Sequence, residues 1–61
     1  MVILEILQKV GLPVMATYHT VNQQYYPDED KNKAEQLKEE LNTYFRNKAG
    51  DHFKAVITEV D

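Results

Sequence analysis

Asp28, Asp30, Asn32 and Glu39 stand at the first, third, fifth and twelfth positions of the spacing by which an EF-hand loop surrounds calcium with oxygen ligands. That loop bends sharply on a glycine at its sixth position, and here the sixth residue is Lys33. The same acidic residues suit the first turn of a helix, where the dipole favours negative charge. A calcium site is therefore not expected. His19 and His52 are the only histidines, and Asp51 adjoins the second. If the strands that carry them pair, the two rings lie near each other. Zinc asks for a tetrahedral ligand set, however, and neither H-x-x-x-H nor H-x-H spacing occurs, so two unrelated surface histidines are expected.

Nucleophilic chemistry has few bearers. The chain contains no Ser and no Cys, which leaves Thr17, Thr20, Thr43 and Thr58, none of them in a recognisable elbow. The two glycines, Gly11 and Gly50, read as helix stops, so no phosphate-cradling loop remains. Paired carboxylates are present, but a chain of 61 residues has little room for a pocket that excludes water. These residues point away from an enzyme, and no cofactor or metal is expected.

Contact chemistry is better represented. Tyr44, Phe45 and Phe53 fall at core positions by periodicity. Tyr25 and Tyr26 are adjacent, so on a strand only one of them faces a core, and the other points outward beside Pro27. Tyr is enriched at protein interfaces, where the ring packs and the hydroxyl finds a partner. Tyr18, His19, Tyr25 and Tyr26 are therefore the expected contact surface. A second candidate is the charged face of the long helix, with Glu29, Glu35, Glu39 and Glu40 set to meet a basic partner.

The elements that position these residues follow from hydrophobic spacing. Ile3, Ile6, Leu7 and Val10 recur as one face of a helix over residues 2–10, closed by Gly11 and Pro13. Val2, Leu4 and Ile6 also alternate as a strand would, and the Gly11 stop signal favours the helix. Residues 14–21 are rich in β-branched and aromatic side chains and read as a strand, semi-apolar on both faces. Val21-Asn22-Gln23 reads as a turn, and Gln24-Tyr25-Tyr26 as a short strand that Pro27 ends. Asp28 is the expected N-cap of a second helix, with Ala34, Leu37, Leu41, Tyr44 and Phe45 on its apolar face and Gly50 as its stop. Lys31–Glu35 and Glu35–Lys38 spacings suggest charge pairing along its outer face. Residues 52–60 close the chain as a strand. The fold class is α+β: one small domain over residues 1–61, ordered α-β-(β)-α-β, with a two- or three-stranded sheet and two helices. So few strands leave open edges, and edges pair.

Composition sets the outer limits. A chain this short buries only about 60% of its unfolded surface, and without cysteine no disulfide staples it. Its hydrophobic fraction of 43% and charged fraction of 28% are those of a folded domain. Seven basic residues against ten acidic ones give a net charge of −3, which argues against a nucleic-acid partner. Apolar runs such as Val2-Ile3-Leu4 are too short to span a bilayer, and Met1 is followed by no basic leader region. A soluble protein of the cytoplasm, or of a virion, is expected.

The Gly11-Leu12-Pro13-Val14 stretch after an amphipathic N-terminal segment resembles the short minor structural proteins of tailed phages and prophages of Gram-positive bacteria, of the head–tail connector or tail-completion type. Tyr26-Pro27-Asp28-Glu29-Asp30, leading into the Leu-spaced segment Glu35 to Leu41, is similar to the entry of their acidic helix. The resemblance touches about half the chain, which has room for fewer sheet strands than those proteins carry. It implies an assembly role, with sheet edges completed by neighbouring copies. The expected function is thus a non-enzymatic protein–protein interaction module that self-associates as a homo-oligomer. The alternative is a small acidic inhibitor or regulator that binds a host protein through its charged helix face.

Overall fold

The computed structural model describes residues 1–11 and 17–60. Strand β1 runs Val2–Val10 and β2 runs Thr17–Tyr26. A 3₁₀ turn at Asp28–Asp30 leads into helix α1, Lys31–Ala49, and β3 spans Phe53–Glu59. The sheet is antiparallel with order β2-β1-β3, so the first strand is the central one. The fold is a small α+β unit with one α-helix over a three-stranded sheet.

The expected helix over residues 2–10 is instead β1, and the expected second helix is the sole α-helix among the described residues. The physical reason is that β1 has a neighbour on each side and side chains packed or half-covered on both faces. A strand of that kind carries apolar residues in both phases, which mimics helical spacing. Gly11 does adopt a positive φ of 105°, but it leaves a strand rather than closing a helix. The turn expected at Val21-Asn22-Gln23 lies inside β2, which joins the two strands expected there into one. Val14, Met15 and Ala16, part of the first of those strands, lie outside the described residues, as do Leu12 and Pro13 of the junction.

What stands at residues 21–23 is a register shift. β1 pairs from Val2↔Tyr26 to Ile6↔Asn22 and then from Leu7↔Thr20 to Val10↔Thr17, which leaves Val21 as the extra residue of a β-bulge. β3 pairs with β1 from Val2↔Glu59 to Gln8↔Phe53 without a shift. The core lies between the sheet and α1. Val2, Leu4, Ala34 and Ala55 are its buried side chains, with half-buried Leu37, Leu41, Phe45 and Phe53 around them. Phe45 and Phe53 stack at 5.5 Å between ring centroids. Tyr44, expected in the core, is 58% exposed and meets Phe45 edge-on.

Helix α1 crosses β3 more closely than β1, and this placement protects one edge of the sheet. Ala55 turns its backbone away from β1, and Asn42 meets it. The Ala55 N–H donates to Asn42 Oδ1 at 2.8 Å, and Asn42 Nδ2 donates to the Ala55 carbonyl at 3.0 Å. A side-chain amide thus takes the place of a neighbouring strand at the midpoint of β3. The N-terminal end of α1 departs from expectation, because Asp28 caps neither the 3₁₀ turn nor the helix with its side chain. Its carboxylate is held by the Met1 amine instead. Lys31 pairs with Glu59 rather than Glu35, tying the start of α1 to the end of β3. The far end closes on Gly50, at φ 63°.

Candidate interaction surface

Alternation along β1 sorts the sheet into two faces. Leu4 and Ile6 point towards α1, where they line a groove of about 220 Å³ with Leu37, Leu41, Asn22 and Gln24. Ile3, Glu5, Leu7 and Lys9 therefore point the other way. Their cross-strand neighbours on that second face are Tyr25, Gln23, Thr20 and Tyr18 on β2, and Thr58, Val56 and Lys54 on β3. Among the described residues, no helix packs over this face.

The open face has a polar centre and an apolar surround. Glu5 sits at the centre as a half-buried carboxylate. Its Oε2 accepts from Thr20 Oγ1 at 3.0 Å and from Gln23 Nε2 at 3.3 Å, while Oε1 accepts from Thr58 Oγ1 at 3.5 Å. Uncharged donors from both flanking strands thus hold one acidic group in place. Around it lie half-buried Ile3, Leu7 and Val56, and Tyr25, which is 60% exposed.

One end of this face is basic. Lys54 Nζ lies 4.0 Å above the Tyr18 ring, a cation–π contact. The Tyr18 hydroxyl donates to the Asp51 carbonyl at 2.9 Å, and Lys9 Nζ donates to Asp51 Oδ2 at 2.7 Å. The Lys9 bond and charge hold the Asp51 carboxyl below its ordinary range, and Asp51 in turn raises Lys9. These contacts fix Tyr18 against the turn that precedes β3.

The sequence candidates are divided by this geometry. Tyr18 and Tyr25 share the open face at opposite ends of β2. His19 and Tyr26 pair with Gln8 and Val2, in the phase of Leu4 and Ile6, and so lie on the helix side. Tyr26 is half-buried there, with its hydroxyl bonded to Gln24 Oε1 at 2.8 Å. Glu35 and Glu39 lie on α1, bridged by Lys38 at 3.4 and 3.8 Å. Glu39 also lines an open depression of about 480 Å³ with Arg46, Phe53 and Lys54.

β1 separates the strands that approach His19 and His52. Gln8 Nε2 lies 3.5 Å from His52 Nε2, and Thr17 Oγ1 lies 3.4 Å from His19 Nε2. Among the described residues, no three His, Asp or Glu side chains gather as a metal site, and no helix is long and apolar enough to cross a membrane. The residues that spacing missed are Glu5, Thr20, Gln23 and Thr58. Their only sequence signal is the lone charge of Glu5 within an apolar run. No family model, curated protein or solved structure matches the chain.

Proposed function

We propose that this chain is a non-enzymatic interaction module that works by self-association, in a structural or assembly role like that of the phage minor structural proteins it resembles. The observation that carries the reading is the uncovered sheet face, where Tyr25 and Tyr18 flank half-buried Ile3, Leu7 and Val56. A soluble monomer leaves such a face wet at a cost that a neighbouring copy removes. Its compartment under this reading is the host cytoplasm or the virion. A host partner bound through the acidic helix is the second reading, supported by exposed Glu29, Glu39 and Glu40. Lys38 partly neutralises that helix surface, which favours the first.

Salt separates the two readings. Apolar and backbone contacts persist at high ionic strength, whereas acidic-face binding is screened. Light scattering over a concentration series at low and high salt is expected to give a species larger than the monomer under both conditions. The change Tyr25→Ala, on the open face, is expected to weaken it while helical content is kept. A chain that stays monomeric throughout refutes self-association.

A further inference from the structure

We infer that β2 pairs antiparallel with β2 of a second copy across a two-fold axis at its bulge, which joins two three-stranded sheets into one of six strands. This rests on the self-association reading and adds to it a contact along the sheet edge, distinct from the open face that carries that reading.

β2 is an edge strand, and nearly all of its residues are exposed. Which of its backbone groups are free follows from β1. Ala55 turns away from β1, whereas the Lys9 N–H donates to the His52 carbonyl and the Val60 N–H to the Met1 carbonyl. Odd-numbered residues of β1 therefore bond to β3, and even-numbered ones bond to β2. Through the register, Thr17, His19, Asn22, Gln24 and Tyr26 spend their backbone groups on β1. Tyr18, Thr20, Gln23 and Tyr25 direct theirs outward, off the edge.

Those outward positions are self-complementary. The bulge at Val21 places them symmetrically about the Val21–Asn22 peptide, so an antiparallel copy sets Tyr18 against Tyr25 and Thr20 against Gln23, twice over. Such pairs exchange two bonds each, for about eight in all. The bulges of the two copies meet at the axis, so the feature that ordinarily bends an edge away from partners is matched rather than opposed.

Charge agrees with this pairing. Natural edges are usually guarded by lysine, acid or proline, and Thr17–Tyr26 contains none of these. At one end Lys54 lies over Tyr18 beside the Lys9–Asp51 pair; at the other, Glu29 and Asp30 follow Tyr26 together with Asp28, whose carboxylate the Met1 amine holds. An antiparallel copy brings Lys54 of one chain towards the acidic end of the other. β3, by contrast, has the midpoint of its edge occupied by Asn42. Among the described residues the sheet thus has one edge blocked at its centre by a side chain and one that is not, which favours a closed dimer over a filament.

Two double variants test the register. T20K/Q23K sets lysine against lysine in both central rows. T20E/Q23K introduces two charges at the same positions but sets glutamate against lysine in both rows. In each, the lysine introduced at position 23 lies opposite the chain's own Glu5 and both substitutions remove a donor to its carboxylate, with T20E also setting a like charge beside it; the two are therefore compared only if their melting temperatures agree. Circular dichroism and thermal melting check that each variant folds, and analytical ultracentrifugation over a concentration series reads the mass.

The wild type and T20E/Q23K are expected to be dimers. T20K/Q23K is expected to dissociate at least tenfold more readily. If the wild type associates and T20K/Q23K associates equally well, the β2 edge is refuted while self-association stands. If both variants dissociate alike, the paired register is refuted. A wild-type monomer at every concentration refutes the second copy and the self-association reading together. Should T20K/Q23K fail to fold, Tyr25→Lys with Tyr18→Lys applies the same like-charge test in the outer rows, and an unweakened dimer overturns the pairing.

Discussion

Asn42 makes the sharpest stability prediction, because a single side chain satisfies both backbone groups of Ala55 at 2.8 and 3.0 Å. In Asn42→Ala both bonds are lost from a part-buried site. Each such bond contributes about 1 kcal/mol net, and poor rehydration of the freed groups raises the total to about 2–3 kcal/mol. For a domain of this size, 1 kcal/mol moves Tm by about 4–8 °C, so a fall of about 8–24 °C is expected. Urea unfolding followed by far-UV circular dichroism measures the change, with an unaltered m-value showing that the same surface unfolds.

Asn42→Asp sharpens the test. The new carboxylate still accepts from the Ala55 N–H but sets a second negative oxygen against the Ala55 carbonyl. The neutral acid, which can donate, is favoured in the fold, so the pKa of the carboxyl introduced at position 42 is expected to rise on folding. Stability is then recovered below the unfolded value of about 4 and lost as pH rises through the folded value. A loss in Asn42→Ala below about 0.5 kcal/mol, together with no acid recovery in Asn42→Asp, refutes the strand-mimic account.

Three further outcomes are expected. Gly50→Ala adds a Cβ that meets nothing within 4 Å, so its cost is backbone strain at φ 63° alone, about 1–3 kcal/mol by denaturant midpoint; no change refutes the strain. Ala34, with no exposed surface, has no room for growth, and Ala34→Leu is expected to cost about 1–3 kcal/mol in thermal melts. The Asp51 carboxyl, held down by Lys9, releases its proton more readily folded than unfolded. Its stabilisation is present above the unfolded value of about 3.9 and lost as pH falls through the folded one. NMR titration is expected to give a midpoint below that value in the wild type and a return to it in Lys9→Met.

The long helix is legible in the sequence because Ala34, Leu37, Leu41 and Phe45 keep helical spacing and Gly50 ends it at a positive φ. The first strand is not, because Val2–Val10 satisfies both periods. Ile3 and Leu7 spoil an alternation only if one face is assumed wet, and a central strand carries apolar residues on both. The bulge reads as a turn for a related reason. Val21-Asn22-Gln23 breaks the alternation, and a phase break of one residue looks the same on paper as a reversal of direction. That one of Tyr25 and Tyr26 points outward is legible from their adjacency; that it is Tyr25 is not, because the choice depends on the register with β1. The Glu5 cluster is not, since its hydrogen-bond donors Thr20, Gln23 and Thr58 are brought to it only by the assembled sheet.

The central position of β1 also sets an order of events in folding. Its partner β2 is near in sequence, so the β1–β2 hairpin closes early at small entropic cost. Its other partner is distant in sequence, with Val2 opposite Glu59, and that pairing closes a loop of nearly the whole described chain. Until β3 and α1 arrive, the hairpin offers a second, apolar edge along Val2–Val10. Without β3, β1 is itself an open edge, so a half-assembled sheet exposes two strand edges of which one is apolar, and wrong pairing finds more surface there than on the complete fold.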